Sequence, residues 1–115
     1  MRFGSVPSSF SLVTSAVGVV AATPGATVSI DVDQGCVFAW TAGQNETVDI
    51  TGSLVAGASL CLIVANDSIV PRTLTFGAGF KVAVTVVGTA NKTAALFFIC
   101  DGSNYYEVGR TTGIV

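Results

Sequence analysis

Histidine is absent from this sequence of 115 residues, and charged residues make up only 10% of it. The chain therefore lacks the commonest general base and metal ligand. A serine or cysteine nucleophile would depend on a lysine base, and neither Lys81 nor Lys92 stands in a catalytic motif. The segment Gly77-Ala78-Gly79 precedes strand-like residues instead of a helix, which predicts a hairpin turn and no nucleotide site. We expect a non-enzymatic protein without a cofactor.

Long apolar runs and basic clusters are also missing. No stretch approaches the roughly 18 uninterrupted apolar residues of a membrane-spanning helix. The five basic residues stand singly, which argues against a nucleic-acid partner. Half of the residues are nevertheless hydrophobic, and the mean hydropathy is +0.71. Because a small domain exposes much of its surface, this composition predicts a homo-oligomer with neither a membrane nor nucleic acid as partner.

The N-terminal region has two interpretations. Residues 10–22 are apolar and follow Arg2, as in a secretory signal, but Ser11, Thr14 and Ser15 dilute the segment. We expect it to belong to the mature protein. Residues 1–22 would then form either an N-terminal arm lying on a neighbouring subunit or a first strand, and residues 23–115 would form a single β-sandwich domain.

The three cysteines cannot all pair within one chain, and their wide spacing matches no zinc or CxxC pattern. Cys36, Cys61 and Cys100 each lie in an apolar run. This placement favours buried thiols in a protein folded in a reducing cytoplasm. An inter-subunit disulfide is the alternative.

The hydrophobic period along the chain is two, which is typical of β-strands. Apolar and polar residues alternate in residues 26–33 and again in residues 80–86, which predicts half-buried strands. Further strands are predicted between turn signals rich in glycine, asparagine and proline, at residues 35–41, 46–51, 58–66, 72–76, 93–100 and 104–109. One strand about every ten residues predicts an all-β fold, specifically an antiparallel, jelly-roll-like β-sandwich of 8–9 strands.

Two of these strands lack a polar face. Residues 60–65 and 95–99 are apolar at every position, whereas the outward face of a sandwich strand is normally polar. Cover by a folded-back N-terminal arm or by another subunit would explain both strands. The low charge of the whole chain favours another subunit.

Candidate binding residues are few. Asp31 and Asp33 lie two apart on a predicted strand, where they would hold calcium or, more simply, form a solvated edge that discourages aggregation. The carboxylates needed for glycosidase chemistry would have to come from Glu46, Asp49 and Glu107. Three aromatic residues would form a sugar-stacking surface if they were exposed, although core packing is commoner; they are Trp40, Tyr105 and Tyr106.

The last 45 or so residues carry a recognisable pattern. Residues 72–80 read RTLTFGAGF, residues 95–100 read ALFFIC, and residues 101–111 read DGSNYYEVGRT. This order resembles TLTFGxGF, a spacer, a strand and DGxNxYEVxR, which recur in small virion proteins of tailed bacteriophages. They include capsid decoration (cement) proteins and tail-fibre domains. Within the pattern, residues 101–104 predict a tight turn between two strands, with Gly102 at a positive φ.

The resemblance implies a capsid decoration protein, made in the host cytoplasm and located on the virion capsid surface. Such a protein would bind the major capsid protein and itself, as a homotrimer, and would stabilise the shell. The alternative is a tail-fibre or spike domain that binds a host glycan. The sequence shows no heptads, collagen-like repeats or long attachment region, which favours decoration.

Overall fold

The computed structural model describes residues 18–67 and 70–115, which form ten β-strands and no helix. The prediction of an all-β chain is confirmed. In chain order the strands are β1 (Val20–Ala21), β2 (Thr27–Asp31), β3 (Val37–Ala42), β4 (Glu46–Thr51), β5 (Ser59–Asn66), β6 (Thr73–Phe76), β7 (Phe80–Lys81), β8 (Val86–Val87), β9 (Thr93–Cys100) and β10 (Tyr105–Ile114). Among residues 18–67 and 70–115 there is no helix that could cross a membrane.

The strands form two mixed sheets that resemble the stacked coils of a β-solenoid. The larger sheet has the order β1-β3-β5-β9-β10-β7, and the smaller sheet has the order β2-β4-β6-β8. From β1 to β9 the chain alternates between the two sheets, so β1, β3 and β5 pair in parallel, as do β2, β4 and β6. The predicted antiparallel, jelly-roll-like arrangement is therefore wrong for β1 to β6, because the connections up to β9 cross between the sheets instead of reversing into hairpins.

Register in the smaller sheet follows its alternating pattern. Val28 lies opposite Val48 and Ile30 opposite Ile50, and Val28, Ile30 and Val48 are fully buried. The intervening side chains on β2, Thr27 and Ser29, are exposed. A slip of one residue would turn the apolar set toward solvent, so burial fixes the pairing of these strands.

The stack ends where the chain reverses. Strand β9 runs antiparallel to β5 and to β10, and β9 and β10 form a hairpin. Its turn matches the prediction for residues 101–104: Gly102 has φ of 100°, and the Asp101 carboxylate accepts the amides of Ser103 and Asn104 at 2.8 and 2.9 Å. These bonds lower the pKa of Asp101, and the Tyr106 hydroxyl bonds the same carboxylate.

Two predicted local structures are wrong. Gly77-Ala78-Gly79 is not a hairpin turn, because it carries the chain from β6 in the smaller sheet to β7 in the larger one. The predicted strand over residues 80–86 is two short strands, β7 and β8, separated by a bend. The guanidinium of Arg110 donates to the carbonyls of Val84 and Thr85 at 3.0 and 3.2 Å, which keeps these carbonyls out of a β-ladder.

The core lies between the two sheets. Its largest fully buried side chains include Phe38, Leu62 and Phe98. Phe98 also joins a ring cluster with Phe76 and Phe80, whose centroids lie 4.9 to 5.8 Å apart. Most of the predicted N-terminal arm, residues 1–17, lies outside the described residues, and its last part supplies the short strand β1.

The turn carboxylate generates a pH-dependent prediction. The folded-state pKa of Asp101 is lowered, so its stabilising effect is present above its unfolded pKa of about 3.9 and is lost as the pH falls through the folded value. We expect Asp101→Asn to have a lower urea midpoint than wild type at pH 7 and the same midpoint near pH 2. The control Ser103→Ala should show no such pH dependence. A difference for Asp101→Asn that persists in acid would contradict this assignment.

Candidate interaction surface

The side of the larger sheet that faces away from the core is predominantly apolar. We define the outer face as ten side chains that alternate with core residues along four strands: Val37, Ala39 and Thr41 on β3, Cys61, Ile63 and Ala65 on β5, Ala95, Phe97 and Ile99 on β9, and Tyr106 on β10. Their inward neighbours, such as Leu62 and Phe98, are buried. The two strands predicted to lack a polar face thus lie side by side at its centre.

Strand register makes this surface continuous. Cys61 lies opposite Val37 on one side and Phe97 on the other. Ile63 is flanked by alanines, Ala39 on β3 and Ala95 on β9. Opposite residues in neighbouring strands have Cβ atoms about 5 Å apart. The outer face is therefore one patch instead of scattered apolar residues.

None of the ten outer-face side chains is charged, and its largest members remain accessible. Phe97 is 48% exposed, Ile99 43% and Tyr106 43%. The smaller sheet differs, because its outward positions on β2 and β4 include Ser29, Asp31, Thr47, Asp49 and Thr51. One side of the molecule thus resembles an ordinary solvated sheet, and the other resembles the core of an interface.

The aromatic residues proposed to stack on sugars do not form a surface. Trp40 and Tyr105 are buried, at 7% and 3% exposure, and only Tyr106 of the three is exposed. The indole Nε1 of Trp40 donates to Oε1 of Glu46 at 2.8 Å, while burial raises the pKa of Tyr105. Trp40 and Tyr105 thus follow the core-packing alternative, and the three residues do not form the sugar-stacking surface that their exposure would have required.

The two carboxylates considered as calcium ligands each accept a backbone amide. Asp31 Oδ1 accepts the amide of Asp33, and Asp33 Oδ1 accepts the amide of Ser53, each at 3.1 Å. These bonds cap local backbone, and no group of three or more metal-ligating side chains occurs in residues 18–67 and 70–115.

The glycosidase candidates occupy separate places in the fold. Glu46 and Asp49 are on β4 of the smaller sheet, whereas Glu107 is on β10 of the larger one. Glu46 is buried and bonded to Trp40. Glu107 forms an ion pair with Arg110 at 2.7 Å. The structure does not bring the three together as a catalytic pair across a cleft.

The cysteines are free and differ in environment. Cys100 is buried, as predicted, but Cys61 is half-buried on the outer face and Cys36 is exposed. Burial raises the pKa of the Cys61 thiol, and the nearby Cys36 adds to this rise. The prediction of three buried thiols is therefore wrong for Cys36, which precedes β3 instead of lying within it.

The sequence pattern identified β5 and β9 but missed two other contributors to the outer face. Strand β3 supplies Val37 and Ala39. The sequence feature that indicates its apolar outward side is the uninterrupted apolar run of residues 36–40. The sequence marks Tyr106 only as an aromatic residue. Its position beside Ile99 follows from the β9–β10 register.

Comparison with known proteins identifies no relative. No family model matches the chain, and no curated protein matches its sequence. The interpretation of the outer face therefore depends on its own chemistry.

The buried Trp40–Glu46 bond generates a stability prediction. Trp40→Phe keeps a large apolar ring but leaves Oε1 of Glu46 without its donor, which should destabilise the fold by about 1–3 kcal/mol. Urea unfolding of Trp40→Phe, Glu46→Ala and the double variant would measure the coupling between them, because alanine removes the acceptor oxygens that glutamine would keep. Additive effects of the two substitutions would contradict a direct bond between these side chains.

Proposed function

We propose that the protein is a structural subunit of a bacteriophage virion, a capsid decoration protein that associates with itself and stabilises the outer shell. The observation that carries this proposal is the uncharged outer face, defined by ten side chains on β3, β5, β9 and β10. Contiguous apolar surface of this kind marks an interaction site in soluble proteins. Its role is adhesion instead of chemistry.

Adhesion of this kind requires little specific chemistry. Burial of apolar surface stabilises contacts by roughly 25 cal/mol per Å², and the effect is multiplied when many identical subunits bind one particle. Four bulky outer-face side chains, Phe97, Ile99, Tyr106 and Ile63, would supply much of that area. The total charge of −2 adds little long-range repulsion between copies.

The resemblance to small virion proteins supports the virion context of the proposal. It spans β6 to β10, and its DGSN turn is the β9–β10 hairpin that places Tyr106 beside Ile99 on the outer face. The major capsid protein as partner and the capsid-surface location are proposed from this resemblance, which also implies self-association as a homotrimer.

Cosedimentation with shells tests the proposed function. Purified expanded shells, assembled from the major capsid protein encoded with this chain, would be incubated with it and pelleted. We expect saturable binding at a fixed number of copies per shell and a higher temperature of shell disruption. Absence of the protein from the pellet at all concentrations would contradict the decoration proposal.

A truncation tests whether the N-terminal segment makes the shell contact. We propose that deletion of residues 1–9 leaves a folded oligomer that no longer binds shells, because the domain core lies within residues 18–115. Circular dichroism and light scattering would confirm folding and association before the shell assay. Retained shell binding by the truncated protein would refute this role of the segment.

A further inference from the structure

We infer that the outer face binds the outer face of a second copy of this chain across a two-fold axis, which gives a face-to-face dimer. The inference deepens the proposed function, on which it rests, by assigning the self-association to this one surface. The homotrimer implied by the resemblance is a different assembly, and the two predict different masses.

The charge distribution favours a second copy as the occupant. The ten outer-face side chains carry no charge, and Lys81, which lies beside Tyr106 on β7, is exposed at the edge of the face. Two copies therefore bring no like charges together within the face and bury no unpaired ion there. The charged side chains of the larger sheet's long strand β10, Glu107 and Arg110, satisfy each other at 2.7 Å. A charged partner would find only Lys81, at the edge of this face, to complement it, whereas a second copy of the face matches its uncharged centre.

The shape of the outer face is also complementary to itself. One half carries Phe97, Ile99 and Tyr106, which are large and exposed. The other half carries Ala39, Ala65 and Ala95. Ala39 and Ala95 lie opposite Ile63, one on each side of it. A two-fold axis that lies in the plane of the interface and runs across the strands between Cys61 and Ile63 places the bulky half of each copy over the alanine half of the other. Large and small residues then interdigitate, as they do in packed cores.

The size of the sheet that carries the outer face suits a stable dimer. Its four strands are spaced about 4.8 Å apart and average about eight residues, each rising about 3.3 Å, so they cover roughly 500 Å² of flat sheet, of which the ten outer-face side chains occupy a part. Contact over the full area of these strands in both copies would bury roughly 1,000 Å² before the relief of the side chains is added, which reaches the lower bound of specific interfaces. The same patch on both subunits is the arrangement that a two-fold axis requires.

A matched pair of lysine substitutions tests the interface. Phe97→Lys places a charge at the bulky half of the outer face, whereas Val87→Lys changes a residue of similar exposure, 56% against 48%, on β8 of the smaller sheet. We expect wild type and Val87→Lys to sediment at twice the chain mass of 11.6 kDa. Phe97→Lys should raise the dissociation constant at least about a hundredfold, because each dimer would bury two unpaired ammonium groups.

Alkylation of the native cysteines provides a readout without substitutions. Cys61 lies near the proposed axis and Cys36 is exposed outside the outer face. Iodoacetamide labelling followed by peptide mass spectrometry should show Cys61 protected at concentrations where the dimer forms and labelled on dilution. Cys36 should be labelled at both concentrations and serves as the internal control.

The outcomes separate this inference from the proposed function. A trimer, or a dimer that Phe97→Lys leaves intact, would overturn the face-to-face assignment. A monomer with Cys61 protected would also overturn it, because the chain's own residues 1–17 would then cover the face. If such a protein still cosediments with shells, the decoration proposal stands without the dimer. A monomer that ignores shells would overturn both.

Discussion

The structure depends on the in-register parallel stacking of strands in the smaller sheet. There the alternation of buried and outward residues is clear, with Val28 beside Val48 and Ile30 beside Ile50. In the larger sheet, β5 and β9 are apolar on both faces, so pattern alone specifies their register weakly. Because the chain alternates between sheets, the pairing fixed in the smaller sheet constrains the larger one.

Buried polar contacts reinforce this constraint at the connections. Glu46 starts β4 and binds both the Trp40 indole on β3 and the amide of Gly25 before β2, which ties neighbouring coils together. Asn66 ends β5, where its side chain accepts the Arg72 amide and donates to the Val70 carbonyl. Such hydrogen-bonded groups specify one arrangement of loops in a way that apolar packing does not.

The sequence located the strands well because period-two alternation and turn residues are local signals. Residues 46–51 and 93–100 are strands with the predicted bounds. The sequence did not reveal strand order, because alternation is the same in parallel and antiparallel sheets. The interaction surface was partly predictable, since residues 60–65 and 95–99 lack polar positions. The burial of Trp40 and Tyr105 depends on which face of each strand meets the other sheet, and only the fold reveals it.

We propose that an uncharged sheet face, exposed by this stacking, drives assembly of the protein. Apolar association is insensitive to screening and is strengthened by sulfate, whereas ionic association weakens as salt is added. Sedimentation equilibrium in about 0.05 M and about 1 M sodium chloride, and then in sodium sulfate, measures this most directly. We expect an unchanged assembly in high chloride and a tighter one in sulfate. Dissociation in about 1 M sodium chloride would contradict it, because the contacts would then be ionic.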